Sequence, residues 1–134
     1  VDARLAYVVA CWPVLDPYAR HAYARQAGIQ RLVSLTEGYF LTAEAMREGN
    51  PQELVERGEA QALPPVLVIH GTADANIPLE IPSRFTETYR AAGGRVELEL
   101  FPDMPHGFAN RPGPESGRAI ALMKGFVARQ LAAM

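Results

Sequence analysis

A chain of 134 residues that is 49% hydrophobic and 21% charged, with a formal net charge of −2, has the composition of an ordinary globular domain. It carries no basic patch that would suit nucleic acid and no run of about 18 apolar residues that would span a membrane. A single cysteine, Cys11, permits no internal disulfide, so an oxidising compartment is not required; a cytoplasmic setting is expected, with the true N-terminus left open because the chain starts at Val1 and not at Met.

Residues 5–11 are too apolar to face water on either side and read as a buried strand. Residues 17–63 read as a helical insertion within a domain running 1–134. Pro17 opens a helix with Tyr18, Ala22 and Ile29 loosely on one face, broken at Gly28. Ser34 lies in a further helical stretch of mixed polarity. Thr42 caps a short helix that ends before Gly49, and Asn50-Pro51-Gln52-Glu53 opens another, with an Asn cap, Pro at the first position and Glu at the third, ended by Gly58. Short capped helices between two sheet strands look like a lid. Tyr39 and Phe40 form an aromatic pair within it. Together with Trp12 and Ile77 they are candidates to line a pocket for an acyl or aryl group, although packing the lid onto the body is the simpler use of large aromatics.

Pro64-Pro65 cannot continue a helix, and the apolar run 66–69 that follows reads as a strand covered on both faces, as in a parallel sheet. The stretch from His70 to Asp74 leaves this strand at its carboxyl end, where catalytic groups collect in α/β sheets. A helix over 79–92 sets Ile81, Phe85 and Tyr89 on one stripe and stops at Gly93-Gly94. The strand over 96–101 alternates, with Val96, Leu98 and Leu100 on one face and Glu97, Glu99 and Phe101 on the other, which suits a position near the sheet edge. A βαβ crossover makes the two strands parallel neighbours. The loops that follow them, carrying Asp74 and His106, then open on one edge of the sheet.

That juxtaposition has a chemical meaning. A carboxylate on one imidazole nitrogen fixes the tautomer that lets the other nitrogen act as a general base, and it stabilises the imidazolium that forms. The order acid then His requires a nucleophile upstream, inside a G-x-S-x-G turn. No such turn is present, and none of Ser34, Ser83 or Ser116 has glycine at both flanking positions. Cys11, in VVACWP, lacks the glycines as well and reads as a buried structural thiol. Asp103, in the same turn as His106, competes with Asp74 for the acid, but capping its own turn is the simpler role and chain order favours Asp74. His70 precedes the acid, the wrong order for the base, and reads as keeping the loop in shape. His21 falls on the lid as a surface or packing residue. Three scattered histidines without carboxylates or thiols at ligand spacing predict no metal site and no cofactor.

The stretch HGTADANIP, with the later PHGF, resembles the α/β-hydrolase superfamily on its esterase and dienelactone-hydrolase-like side. The resemblance implies an α/β fold of about three parallel strands with flanking helices, the C-terminal portion of that architecture. DARLAYVVACWPVLD matches the strand after the nucleophile helix, 17–63 the cap insertion and 113–134 the closing helix. By the same resemblance Asp74 is the acid and His106 the base of a serine hydrolase that cleaves a small carboxylic ester, with Cys an alternative nucleophile type. The early strands, nucleophile elbow and oxyanion loop of that family are not among these 134 residues. The segment alone is therefore expected to be inactive, and its open sheet edge is expected to be covered by the missing N-terminal half or by a second copy. The alternatives are the C-terminal part of a prolyl-oligopeptidase-like peptidase and a non-catalytic module or truncation product.

Overall fold

The computed structural model describes residues 4–134; Asp2 and Ala3, at the head of the DARLAYVVACWPVLD stretch, lie outside them. Three parallel strands, β1 (Val8–Cys11), β2 (Val66–Gly71) and β3 (Val96–Phe101), form a sheet in the order β1-β2-β3. β1 begins three residues later than the apolar run suggests. Its ladder with β2 starts at Val8↔Val66, and Pro64-Pro65 upstream of Val66 has no N–H to extend it. β2 runs longer than expected. His70 and Gly71 remain in the strand because they pair with Leu100 and Phe101.

The strand alternation sorts the core into two layers. Val66, Val68 and Val96 face Ile77 and the stripe Ile81, Phe85 and Tyr89 of α5 (Glu80–Ala91). Leu67, Ile69 and Phe101 face the other way, against Ala119 and Phe126 of α6 (Pro114–Ala132). With helices on both faces, β2 is buried along its whole length, as its apolar run 66–69 requires. Gly94 ends the α5 turn under the Tyr89 ring; a Cβ there would come within 2.3 Å of ring carbons.

Four helices separate β1 from β2: α1 (Pro17–Gln26), α2 (Gln30–Phe40), α3 (Ala43–Glu48) and α4 (Pro51–Glu56). Their caps hold these helices to one another and to the chain leaving β1. The Asp16 carboxylate caps α1 by accepting from the Ala19 amide at 2.9 Å. The same oxygen accepts from Asn50 Nδ2 at 2.8 Å, while Asn50 Oδ1 caps α4 through the Glu53 amide. Asp16 and Asn50 are both buried, so each is satisfied by the other. Gln52 extends the tie to α5, its Nε2 donating to Thr88 Oγ1 at 2.7 Å. Gly28, at φ +69, turns the chain between α1 and α2. Among the described residues no helix is long and apolar enough to cross a membrane.

Candidate active site

The loops after β2 and β3 are stitched together residue by residue. The Gly71 Cα faces the Met104 carbonyl so closely that a Cβ would lie 2.0 Å from its oxygen; only glycine admits the approach. The Ala73 amide then donates to that same carbonyl at 3.1 Å. The Thr72 amide donates to the Phe101 carbonyl, and the Thr72 hydroxyl accepts from the Asp103 amide at 2.8 Å, supporting Asp103 at φ +59. The loop carrying His106 is thereby clamped to the loop carrying Asp74.

The Asp74 side chain is buried. Its Oδ1 accepts from the amides of Asn76 and Ile77, each at 2.8 Å, the local turn an Asp forms with its own downstream backbone. Its Oδ2 faces His106 Nδ1 at 2.8 Å. A carboxylate can only accept, so Nδ1 carries a proton, and in the neutral ring the lone pair is on Nε2. His106 remains about a third exposed, at 32%, so its ring reaches the surface while its orienting carboxylate does not. Trp12 stands beside it, edge-on at 6.1 Å between ring centroids and equally edge-on to Phe108 at 5.6 Å. Its backbone is at φ +40, sparsely populated for a residue with a side chain, at the carboxyl end of β1.

Behind Asp74 lies His70, fully buried. Its Nε2 is 2.9 Å from the Ile77 carbonyl and 3.8 Å from Asp74 Oδ2. Burial pushes its pKa below the ordinary histidine value, with the Ile77 carbonyl and Asp74 opposing and His106 adding to the depression. The ring is therefore neutral, and the 3.8 Å approach is a dipole beside an anion and not an ion pair. Cys11 has its thiol pKa raised by burial and touches Met123 Sδ at 3.9 Å, the environment of an inert thiol. The Ser116 hydroxyl donates to the Gly113 carbonyl at 2.9 Å, and Ser34 and Ser83 lie on α2 and α5.

The arrangement of sheet, crossover helix and clamped loops has counterparts among known proteins. The sequence profile of the prolyl oligopeptidase family matches residues 16–133. The chain belongs to that family. A carboxymethylenebutenolidase-like protein of Methylorubrum extorquens is 32% identical over 111 residues, which cover 79% of this chain and 34% of that protein. The native structure of a thermophilic esterase from Thermogutta terrifontis superposes with a TM-score of 0.71 at 25% identity, over 96% of this chain and 44% of the esterase. Pyrococcus horikoshii acylaminoacyl peptidase shares the fold, with a TM-score of 0.66 at 18% identity over 85% of this chain and 18% of the peptidase. The chain thus spans about a third of the length of the curated relative and under half of the esterase. The architecture is the C-terminal part of an α/β-hydrolase fold, and the relatives make it a segment of a hydrolase family.

In this prolyl oligopeptidase family member the sequence-predicted residues do not all converge. Asp74, His106 and Trp12 come together; Asp103 contributes its amide to Thr72, while it is Asp74 that meets the imidazole. Tyr39 and Phe40 stack edge-on at 4.8 Å and belong instead to a separate hollow of about 270 Å³, lined also by Val14, Leu35 and Pro51 and without Trp12. They are where the end of α2 meets the start of α4, a helix-to-helix seam and not the loop edge of the sheet. Ile77 is corrected: its side chain is wholly buried against Val68 and Ile81, with its amide held by Asp74 Oδ1 and its carbonyl by His70 of β2. A larger hollow of about 500 Å³, among α1, α2 and α3, contains the His21–Glu37 contact at 3.0 Å and none of the loop residues. The sequence reading missed the tie from α1 to the acid loop, where the Tyr23 hydroxyl donates to the Ala75 carbonyl at 2.9 Å. A surface Tyr on a helix carries no signal of its distant partner.

Proposed function

We propose that Asp74 and His106 are the acid and general base of a catalytic triad in a hydrolase that cleaves carboxylic esters. The observation that carries the reading is the 2.8 Å contact between His106 Nδ1 and a buried carboxylate whose other oxygen is fixed by two amides. The contact puts the proton of the neutral imidazole on Nδ1, so that Nε2 of this partly exposed ring is the nitrogen that can take a proton from a hydroxyl or thiol and return it to a leaving group. The nucleophile and the oxyanion donors lie, on this proposal, outside the 134 residues, on chain that adds to the outer edge of β1, as an unpaired apolar edge strand invites. The Thermogutta esterase supports esters as the substrate class, and helices α1 to α4 act as the cap that shapes access.

The test uses the complete protein. Turnover of a p-nitrophenyl ester and stoichiometric labelling by an active-serine phosphonate are expected. His106→Ala abolishes turnover and leaves the fold nearly intact, because a residue on a strand-end loop carries little core. The 134-residue segment alone shows neither saturable turnover nor labelling. Retained turnover in His106→Ala, or a labelled serine within the segment, overturns the reading. Family membership favours a second reading, cleavage of peptide bonds by a prolyl-oligopeptidase-like peptidase. A kcat/KM comparison of matched ester and peptide substrates of one acyl group separates the two.

A further inference from the structure

We infer that His70 is a positioning residue for the Asp74–His106 pair: its Nε2–H holds the Ile77 carbonyl and so fixes the turn whose amides aim the Asp74 carboxylate. The inference rests on the reading of Asp74 and His106 as acid and base.

Ile77 is the pivot of that turn. Its amide donates to Asp74 Oδ1 at 2.8 Å, its side chain is sunk in the core, and its carbonyl accepts from His70 Nε2 at 2.9 Å. Three restraints on one residue set the direction of its N–H and hence the rotation of the Asp74 carboxylate. With Oδ1 pinned to two amides, Oδ2 has one place to go, which is the 2.8 Å contact with His106. Removing the His70 donor frees the carbonyl and lets the turn rock about the buried side chain. The register explains why position 70 can do this: it lies on the Val66 and Val68 face, one strand period past them, toward α5 and Ile77.

The choice of histidine is itself informative. Its Nδ1 is buried and, among the described residues, has no partner. A buried nitrogen without a partner is destabilising, and a residue that merely filled space would be apolar. A second proton would land on that partnerless Nδ1, so the ring stays neutral. A neutral donor orients a carboxylate without cancelling its charge. Lysine or arginine in the same place would compete with His106 for that charge.

Three variants of the complete protein separate donor position from bulk. Gln at position 70 carries its amide nitrogen to where Nε2 lies; Asn reaches only as far as Nδ1; Leu has no donor. His70→Gln is expected to keep kcat within about fivefold of wild type. His70→Asn and His70→Leu are expected to lower kcat about 10- to 100-fold with KM changed less than about twofold, the range found when a partner that orients a functional ligand is removed. Histidine ¹⁵N NMR supplies a readout independent of turnover. In wild type, His70 must be the Nε2–H tautomer and His106 Nδ1–H must be protected from exchange; the protection persists in His70→Gln and is lost in the other two. An Nδ1–H tautomer for His70 in wild type overturns the inference even if every variant fails to fold. Equal kcat in His70→Asn and His70→Gln overturns it too, as does unchanged protection in His70→Leu. Should Asp74→Asn and His106→Ala retain turnover while His106 protection still depends on position 70, the positioning role stands and the catalytic reading falls.

Discussion

Asp74→Asn in the complete protein is the sharpest perturbation, because the structure dictates how the new side chain must sit. Two amides, from Asn76 and Ile77, point at the Oδ1 position from 2.8 Å. The asparagine must offer them its carbonyl oxygen, since turning its NH₂ that way would set three donors against one another. The NH₂ therefore faces His106 Nδ1, which must become an acceptor. The ring proton moves to Nε2, and the nitrogen that should accept a proton already holds one. Such a tautomer switch typically costs about 10⁴-fold in kcat, or about 5.4 kcal/mol at 1.36 kcal/mol per decade. Folding should suffer much less. Both amide bonds survive, and exchanging a charged for a neutral acceptor costs roughly 1 kcal/mol. The assay pairs ester kcat with urea midpoints for wild type, Asp74→Asn and Asp103→Asn. Asp103→Asn is expected to stay within about threefold, since its backbone amide, not its carboxylate, makes the contact with Thr72. Asp74→Asn within tenfold of wild type, with Asp103→Asn inactive, would refute the assignment and the tautomer argument with it.

Three further outcomes are expected, all in the complete protein. Gly71→Ala forces a Cβ to 2.0 Å from the Met104 carbonyl oxygen and should cost about 1–3 kcal/mol of stability with a large loss of kcat, whereas Gly117→Ala, in open space on α6, should be neutral or stabilising by up to about 1 kcal/mol; urea melts of both check this. Asn50→Ala removes the α4 cap and one donor from buried Asp16, with an expected loss of about 2–4 kcal/mol by denaturation and little change in KM. His70, kept neutral by burial when folded, binds a proton readily only when unfolded, so its contribution is fully present above about pH 6.5 and declines as the pH falls below that, by up to about 1.4 kcal/mol per pH unit; wild type should lose stability between pH 7 and 5 more steeply than His70→Gln, and parallel slopes would contradict it.

The parallel sheet was legible in the sequence because its signals are dense and local. Residues 66–69 have no polar member, Pro64-Pro65 marks their start, and Ile81, Phe85 and Tyr89 declare the buried stripe of α5. The contact between Asp74 and His106 was legible for the same reason, since two strand-end loops on parallel neighbours must share an edge. What escaped are contacts whose partners lie far apart in sequence and whose residue types are unremarkable in themselves. Tyr39-Phe40 does line a hollow, but one shared with Val14 and Pro51 and not with Trp12, and composition cannot tell the two places apart. Ile77 was misassigned because the sequence gives no hint that both its backbone groups are captured, which leaves the side chain only the core.

A buried carboxylate is costly unless its oxygens are satisfied, and this cost explains the spelling of HGTAD. Asp74 has one oxygen on two amides and the other on His106, with the His70 N–H nearby. None of these donors depends on a nucleophile. Gly71, Thr72 and Ala73 hold the neighbouring loop by its main-chain groups, which no side-chain substitution at Met104 or Asp103 removes. The acid and the imidazole are consequently assembled by the β2–α5–β3 unit itself. On the proposed reading, chain from elsewhere has only to place a nucleophile at His106 Nε2, without having to organise the base. A pair preassembled in this way predicts that His106 Nδ1–H protection in the complete protein survives replacement of the nucleophile by Ala, with turnover gone. Loss of that protection on nucleophile replacement would mean that the nucleophile, and not this sheet edge, holds the imidazole in place.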